Sequence, residues 1–515
     1  MKNLNKKLIL GLSALVIGLS ACTSDLDTKP KVELSLENLL ARDPNAIEGL
    51  LSKMYGTFAL SGPSGPGSSD ISGPDPGETS FLRGIINLQD FTADGMKNRW
   101  GDDGLDQLTT ASNWDENNKF FRYLYDRVYY IAPQTTNIIL ALETVDVPNE
   151  AQTVNELRFI RALAYYYMID CFGKGVIINE ETYGTTDPLP ESSRTELFNF
   201  VEQELLAIEP SMPPTNSYGR ANQSVVRMLL AKLYLNAEVY TGTARYDDAL
   251  AYTEMVINEG GYTLAPDFVS VFSGDNNTSG EIIFPLIADA IVSQSFGNTT
   301  YIVNGSSSNE TMNILDFGTT EGWSGHRATK AWYGLFGDLD ASTDERAELF
   351  WTTGHNYEMV DYKTWVDGYP SIKFRNTNFN GPSEATAFSP TDFPLFRLAD
   401  AYLMYAECVL RGGGGSQATA LEYVNAVRDR SEAFLITAGE LTLDFILDER
   451  ARELNLEGHR RTDLIRFGKF TGSSYLWPWK GNTQDGASIP STYNLFPIPQ
   501  GALQSNPNLT QNPGY

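Results

Sequence analysis

The chain has 515 residues, 42% apolar and 20% charged, which is ample to bury a large core and unlike the composition of a disordered chain. Sixty-five acidic against 38 basic residues leave a formal charge of −27, a balance that repels phosphate backbones and disfavours nucleic acid as a partner. Three histidines and three cysteines are too few for a zinc cluster or a disulfide framework.

Lys2, Lys6 and Lys7 precede an apolar stretch over residues 8–19, too short to span a bilayer and of secretory length. It ends in Leu19-Ser20-Ala21-Cys22, which resembles the bacterial lipobox. Residues 1–21 are therefore expected to be a lipoprotein signal peptide, and Cys22 the acylated first residue of a mature domain over 22–515. Acyl chains contribute roughly 0.8 kcal/mol per buried CH₂, so three would hold the domain at a membrane that it does not cross. Thr23 stands where an aspartate would have suggested retention at the inner membrane.

Residues 61–77, rich in Gly, Pro and Ser, form a predicted long loop, and 275–280 and 381–392 are loop-like too. Between them lie helical patterns. Leu157, Ile160, Leu163, Ala164 and Tyr167 recur at helical steps over 156–172, and 224–240 is apolar nearly all round. Ala249, Tyr252 and Val256 share a face of 247–258. A helix over 398–411 stops at the glycines from Gly412, Ser416 caps the next over 417–431, and a last one spans 446–467. Ala231–Leu235 followed by Tyr246–Leu250 is similar to a tetratricopeptide hairpin, a unit that buries its apolar face only by stacking. The fold class is therefore mostly α: stacked tetratricopeptide-like helix pairs with long ligand-facing loops and a few short strands, such as 281–286.

Several features have structural explanations. Cys171 and Cys408 fall in apolar helical runs and suit small core residues, with a bridge between them left open. Glu449, Arg450, Glu453, Glu457, Arg460, Arg461 and Asp463 crowd one predicted helix, where pairs at i,i+3 and i,i+4, joined by His459, account for them better than paired-carboxylate catalysis. No cofactor is expected. Calcium is poorly signalled: the segment from Asp338 lacks the glycine at position six and has Leu349 at position twelve, and the one from Asp275 fails at Leu286.

Five blocks then point one way: Arg158-Phe159-Ile160-Arg161-Ala162 running to Phe172-Gly173; Gly219-Arg220-Ala221 with Leu233–Ala237; Phe396-Arg397-Leu398-Ala399-Asp400; Glu449-Arg450-Ala451-Arg452-Glu453 with Gly458-His459-Arg460-Arg461; and Asn506-Pro507-Asn508 ahead of Asn512-Pro513-Gly514-Tyr515. With the lipobox, they resemble the SusD/RagB family of outer-membrane nutrient-binding lipoproteins along essentially the whole mature chain. The resemblance implies a non-catalytic, surface-exposed glycan binder. It also implies a partner, a SusC-type TonB-dependent transporter barrel over which the lipoprotein sits as a lid.

A pyranose offers C–H groups on its faces and hydroxyls at its rim, so loop aromatics and neighbouring polar side chains are the candidate ligands. Trp100 and Trp323 stand in loop-like surroundings. Similarity to a starch-binding member of the family places both on its stacking aromatics, and Phe296 on a third that is a tyrosine there. By the same likeness Asp75 and Arg83 would pair with sugar hydroxyls, and Asp103 would accept a further bond. Two departures stand out: Asn98 where that member has a second tryptophan, and Asp103 where it has an asparagine. An arc of three aromatic faces suits the curved helix of an α-1,4-glucan such as starch or a maltooligosaccharide. Rival expectations are a SusD-like binder of another glycan or of peptides, a secreted glycoside hydrolase with two carboxylates about 5–9 Å apart, and a helical scaffold binding a protein.

Overall fold

The computed structural model describes residues 35–101 and 103–515. The expected signal segment 1–21 and Cys22 lie outside the described residues.

Short polar side chains set the helix starts. Asn118, Ser193, Asn222, Ser416 and Thr442 each accept a first-turn backbone N–H, opening helices Lys119–Leu142, Arg194–Ile208, Gln223–Leu235, Gln417–Arg430 and Leu443–Leu454. At Ser193 the Glu196 carboxylate reaches back to close a capping box. Lys119–Leu142, Glu150–Cys171 and Arg194–Ile208 pack in succession, and Gln223–Leu235, Tyr246–Glu259, Leu398–Leu410 and Gln417–Arg430 extend the series. A helix with neighbours on several sides needs apolar residues all round, and Glu150–Cys171 is buried without interruption from Phe159 onward. The predicted mostly α-helical stack of pairs is the architecture observed.

Four short strands tie distant loops together. β1 (Met96–Asn98), β2 (Ile282–Leu286), β3 (His326–Ala328) and β4 (Phe393–Arg397) form two antiparallel pairs, β1 with β3 and β2 with β4. The β1–β3 register sets Asn98 opposite His326 and Lys97 opposite Arg327. Residues two positions beyond β1 and three before β3 are thereby drawn to the same edge.

Two helix expectations need correction. The stretch 446–467 is two helices, Leu443–Leu454 and Arg460–Arg466, parted where Leu456 and Gly458 take φ of 68° and 74°. Their N–H groups donate to the Asp90 carboxylate at 3.0 and 2.9 Å, so the break is held from a distant segment. The stretch 224–240 similarly divides at Asn236 into Gln223–Leu235 and Ala237–Thr241.

The charges on 449–466 pair mostly across elements, contrary to the expected pairing within one helix. Helical spacing accounts for Glu449 with Arg452 and Asp463 with Arg466, both at 2.7 Å. Otherwise Arg346 meets Glu449 and Glu453 at 2.9 and 2.8 Å, and Arg397 meets Glu453 and Glu457 at 2.7 and 2.6 Å. Arg450 bonds Asp400, and Arg460 bonds Asp94, at 2.8 and 2.7 Å. Burial alone would neutralise these acids; Arg346, Arg452 and Arg428 instead hold Glu449 down at about 2. His459 does join a network, 3.2 Å from the Lys232 ammonium, and burial together with that cation pushes it down to about 3.

Cys171 and Cys408 are buried and unbridged. The Asp275 carboxylate accepts the N–H groups of Phe379 and Asn380 at 2.7 and 2.9 Å, a loop-fixing role. Among the described residues, no group of three or more His, Cys, Asp or Glu is arranged to hold a metal ion, and no helix is long and apolar enough to cross a membrane.

Candidate functional site

One short helix, Thr299–Ser306, organises the loops that carry the candidate aromatics. Phe296 lies just before it, where the Gly297 carbonyl accepts the Ser80 hydroxyl at 2.5 Å and the Arg83 N–H at 3.1 Å. Those two bonds dock the 75–83 loop onto the 295–297 turn. The approach is so close that a Cβ on Gly77 would stand 2.6 Å from the Phe296 Cβ, which only glycine permits.

At the other end of the helix, buried Asn304 binds two loops through three bonds. Its carbonyl accepts the Trp323 N–H at 2.8 Å, its side-chain oxygen accepts the Thr319 hydroxyl at 2.6 Å, and its amide donates to the Ala387 carbonyl at 2.9 Å. Trp100 arrives from β1. Its N–H donates to the side chain of Asn98 at 2.8 Å, and the Arg99 N–H pairs with the Gly325 carbonyl at 2.9 Å. The indole lies against Gly325, where a Cβ would be 2.6 Å from the ring.

Three predicted rings are brought side by side. Trp100 and Trp323 have centroids 6.5 Å apart with planes inclined at 49°, and Trp323 and Phe296 are 6.3 Å apart at 50°. Both tryptophans are half-buried and Phe296 is 39% exposed, so each ring keeps surface at the solvent boundary. Beneath Trp100 lie His326 and Tyr301, at 5.4 and 6.1 Å. Burial, reinforced by Arg83 and Arg327, pushes His326 well below its ordinary range, so the floor is an uncharged aromatic layer. The buried Asn98, opposite His326, braces Trp100 from behind.

A polar group flanks the rings. Arg83 is 7% exposed, its guanidinium 4.3 Å from the Tyr301 ring centroid and 3.5 Å from Glu78. Its Nε has no protein partner. Lys119 then bridges Glu78 and Asp103 at 2.8 and 2.9 Å. Burial opposes the Lys119 charge, but those two carboxylates raise its pKa overall. Asp103, exposed with φ 51°, and Arg83 are thus linked through an ion chain. Asp75 is exposed beside Phe296, with one oxygen occupied by the Gly77 N–H at 3.0 Å. This set offers cations, carboxylates and apolar ring faces to one ligand. It holds no nucleophile with an adjacent base.

Sequence reasoning passed over Glu78, Lys119 and Phe388. Glu78 sits inside the very segment that carries Asp75 and Arg83, five residues before Arg83, and Lys119 carries no local signal because its partners come from other elements. Phe388 was findable. It is an aromatic in a predicted loop, the same criterion that picked out Trp100, and it is half-buried 5.0 Å from Phe296.

Comparison with known proteins bears on the family and the fold. A family model described as the SusD family matches residues 280–515. Across 98% of this chain and 97% of the other, the sequence is 31% identical to the starch-binding protein SusD of Bacteroides thetaiotaomicron. A SusD superfamily protein from Bacteroides vulgatus superposes with a TM-score of 0.71 at 20% identity, covering 92% of this chain and 99% of that one. A surface glycan-binding protein A of Bacteroides thetaiotaomicron, in complex with laminarihexaose, gives 0.70 at 22% identity over 91% and 99% of the two chains. With near-complete coverage of a relative more than 30% identical, and the same fold in its structural neighbours, the chain belongs to the SusD family.

Proposed function

We propose that this protein is a cell-surface glycan-binding lipoprotein that captures starch or maltooligosaccharides on the Trp100–Trp323–Phe296 shelf. It delivers them to a SusC-type TonB-dependent transporter and is held at the outer membrane through a lipidated Cys22. The observation that carries the reading is the shelf itself: two successive ring steps of 6.5 and 6.3 Å, each turned by about 50°. A flat polymer needs coplanar faces, whereas a coiled α-glucan offers its apolar faces along a curve. Identity of 31% to a starch-binding protein supports the same choice. Asp75, Arg83 and Asp103 supply charge-assisted bonds to sugar hydroxyls at the rim. The net charge of −27 does not oppose a neutral ligand. The role is binding rather than cleavage.

The laminarihexaose complex of a structural neighbour favours one second reading, a β-1,3-glucan, which is also a curved chain. Calorimetric titration of the purified protein with maltoheptaose, amylopectin, dextran, xylan and laminarihexaose separates the two. Saturable binding to the first two alone is expected. Tighter binding of laminarihexaose moves the assignment to the β-1,3-glucan. Release of shorter sugars during the titration, abolished by one Asp or Glu substitution, makes the protein a hydrolase.

A further inference from the structure

We propose that Phe388 is a fourth stacking ring, which lengthens the shelf beyond Phe296 and lets the protein select for longer glucan chains. The inference rests on the α-glucan reading and deepens it. The Phe388 ring lies 5.0 Å from Phe296 with planes inclined at 45°, nearly the same turn as the two preceding steps of 49° and 50°. From Trp100 to Phe388 the contour of ring centres is therefore at most about 18 Å.

The ring is positioned before any ligand arrives. The Asn304 amide holds the Ala387 carbonyl at 2.9 Å, the Thr300 hydroxyl accepts the Ser389 N–H at 2.9 Å, and the Thr386 hydroxyl donates to the Phe388 carbonyl at 2.6 Å. Two of these three bonds come from the Thr299–Ser306 helix, which also positions Phe296 and Trp323. The same rigid element thus aims three of the four rings, and a ligand loses little to ordering the protein at Phe388. Phe388 is half-buried, so its ring keeps surface at the solvent boundary as the other three do.

A fourth face adds contact only for chains that reach it. The test is calorimetric titration of wild type, Phe388→Ala, Phe388→Leu and Phe388→Trp with maltotriose, maltotetraose, maltopentaose and maltoheptaose. Circular dichroism melting checks that each variant is folded. In wild type, affinity rises with chain length until the four rings are filled. Phe388→Ala is expected to weaken maltoheptaose by about 3–10-fold and leave maltotriose unchanged. Phe388→Leu keeps apolar volume without a flat face and should behave like alanine, while Phe388→Trp restores the length dependence. Equal weakening at every length shows a ring that only braces Phe296, and no weakening at any length shows one outside the site; either result overturns the inference and leaves the glucan reading standing. Failure of wild type to bind any of the series overturns both.

Discussion

Trp323 is the middle ring of the three predicted ones, with Trp100 and Phe296 on either side at 6.5 and 6.3 Å, so its removal interrupts the shelf. A tryptophan side chain presents roughly 150–250 Å². Trp323 is half-buried, and at most about a third of that area, roughly 50–80 Å², is left for a ligand. At about 25 cal/mol per Å², Trp323→Ala should cost about 1–2 kcal/mol, or roughly 5–30-fold in Kd for maltoheptaose. The backbone bond that holds this loop, from the Trp323 N–H to Asn304, is kept in alanine, so the fold should survive. Calorimetry measures the affinity, and a thermal melt shows that the loss is local. Phe434→Ala is the control, because that ring is 76% exposed yet makes no contact with the shelf rings and should leave affinity unchanged. A folded Trp323→Ala protein that binds maltoheptaose within about twofold of wild type would show that the ligand does not lie on these rings.

Other consequences follow from the buried charges and the N-terminus. Glu453→Gln leaves Arg346, Arg397 and Arg430 facing a neutral amide in the core and should destabilise by about 3–5 kcal/mol in urea unfolding; a loss below about 1 kcal/mol would mean that those arginines find other partners. Glu449 is depressed from 4.5 to about 2 in the fold, so its contribution is complete above pH 4.5 and is lost as pH falls toward 2. That amounts to about 3 kcal/mol and should appear as a falling urea midpoint across this window, and a flat profile would refute it. Asp90 has the opposite sign. Burial raises it to about 7 against the pull of the Gly458 and Leu456 N–H groups, so its stabilisation is present below pH 3.8 and is lost as pH rises through about 7. Asp90→Asn should remove that decline. Cys22→Ala should abolish incorporation of labelled fatty acid and move the protein out of the detergent phase; labelling that persists in the variant would place any lipid elsewhere.

The helical stack was legible because its signals are local. Apolar positions at steps of three and four, Ser416 at a helix start and Gly412 just past a helix end are each decided within about one turn. One of the two misjudged boundaries lies where a distant residue overrides the local pattern. Nothing between 446 and 467 indicates that Asp90 will capture the N–H groups of Leu456 and Gly458 and break the helix there. The charges of that region were visible, but not their partners, since Arg346, Arg397 and Asp400 come from segments at least 50 residues away.

The site divides along the same line. Each ring could be chosen one at a time from its loop setting and its family likeness, but their adjacency is a tertiary fact created by β1 pairing with β3 and by Asn304. Asn304 is fully buried, lies in a short helix and resembles any polar core residue in sequence. Two of its three bonds satisfy a side-chain amide and a side-chain oxygen that would otherwise be buried without partners, a cost of about 1–3 kcal/mol for each, while its carbonyl takes the Trp323 N–H in addition to that of Ser307. That cost makes the convergence of the 319–325 and 386–389 loops a requirement of folding. The aromatic surface is therefore built when the chain folds, and a ligand need only displace water from it.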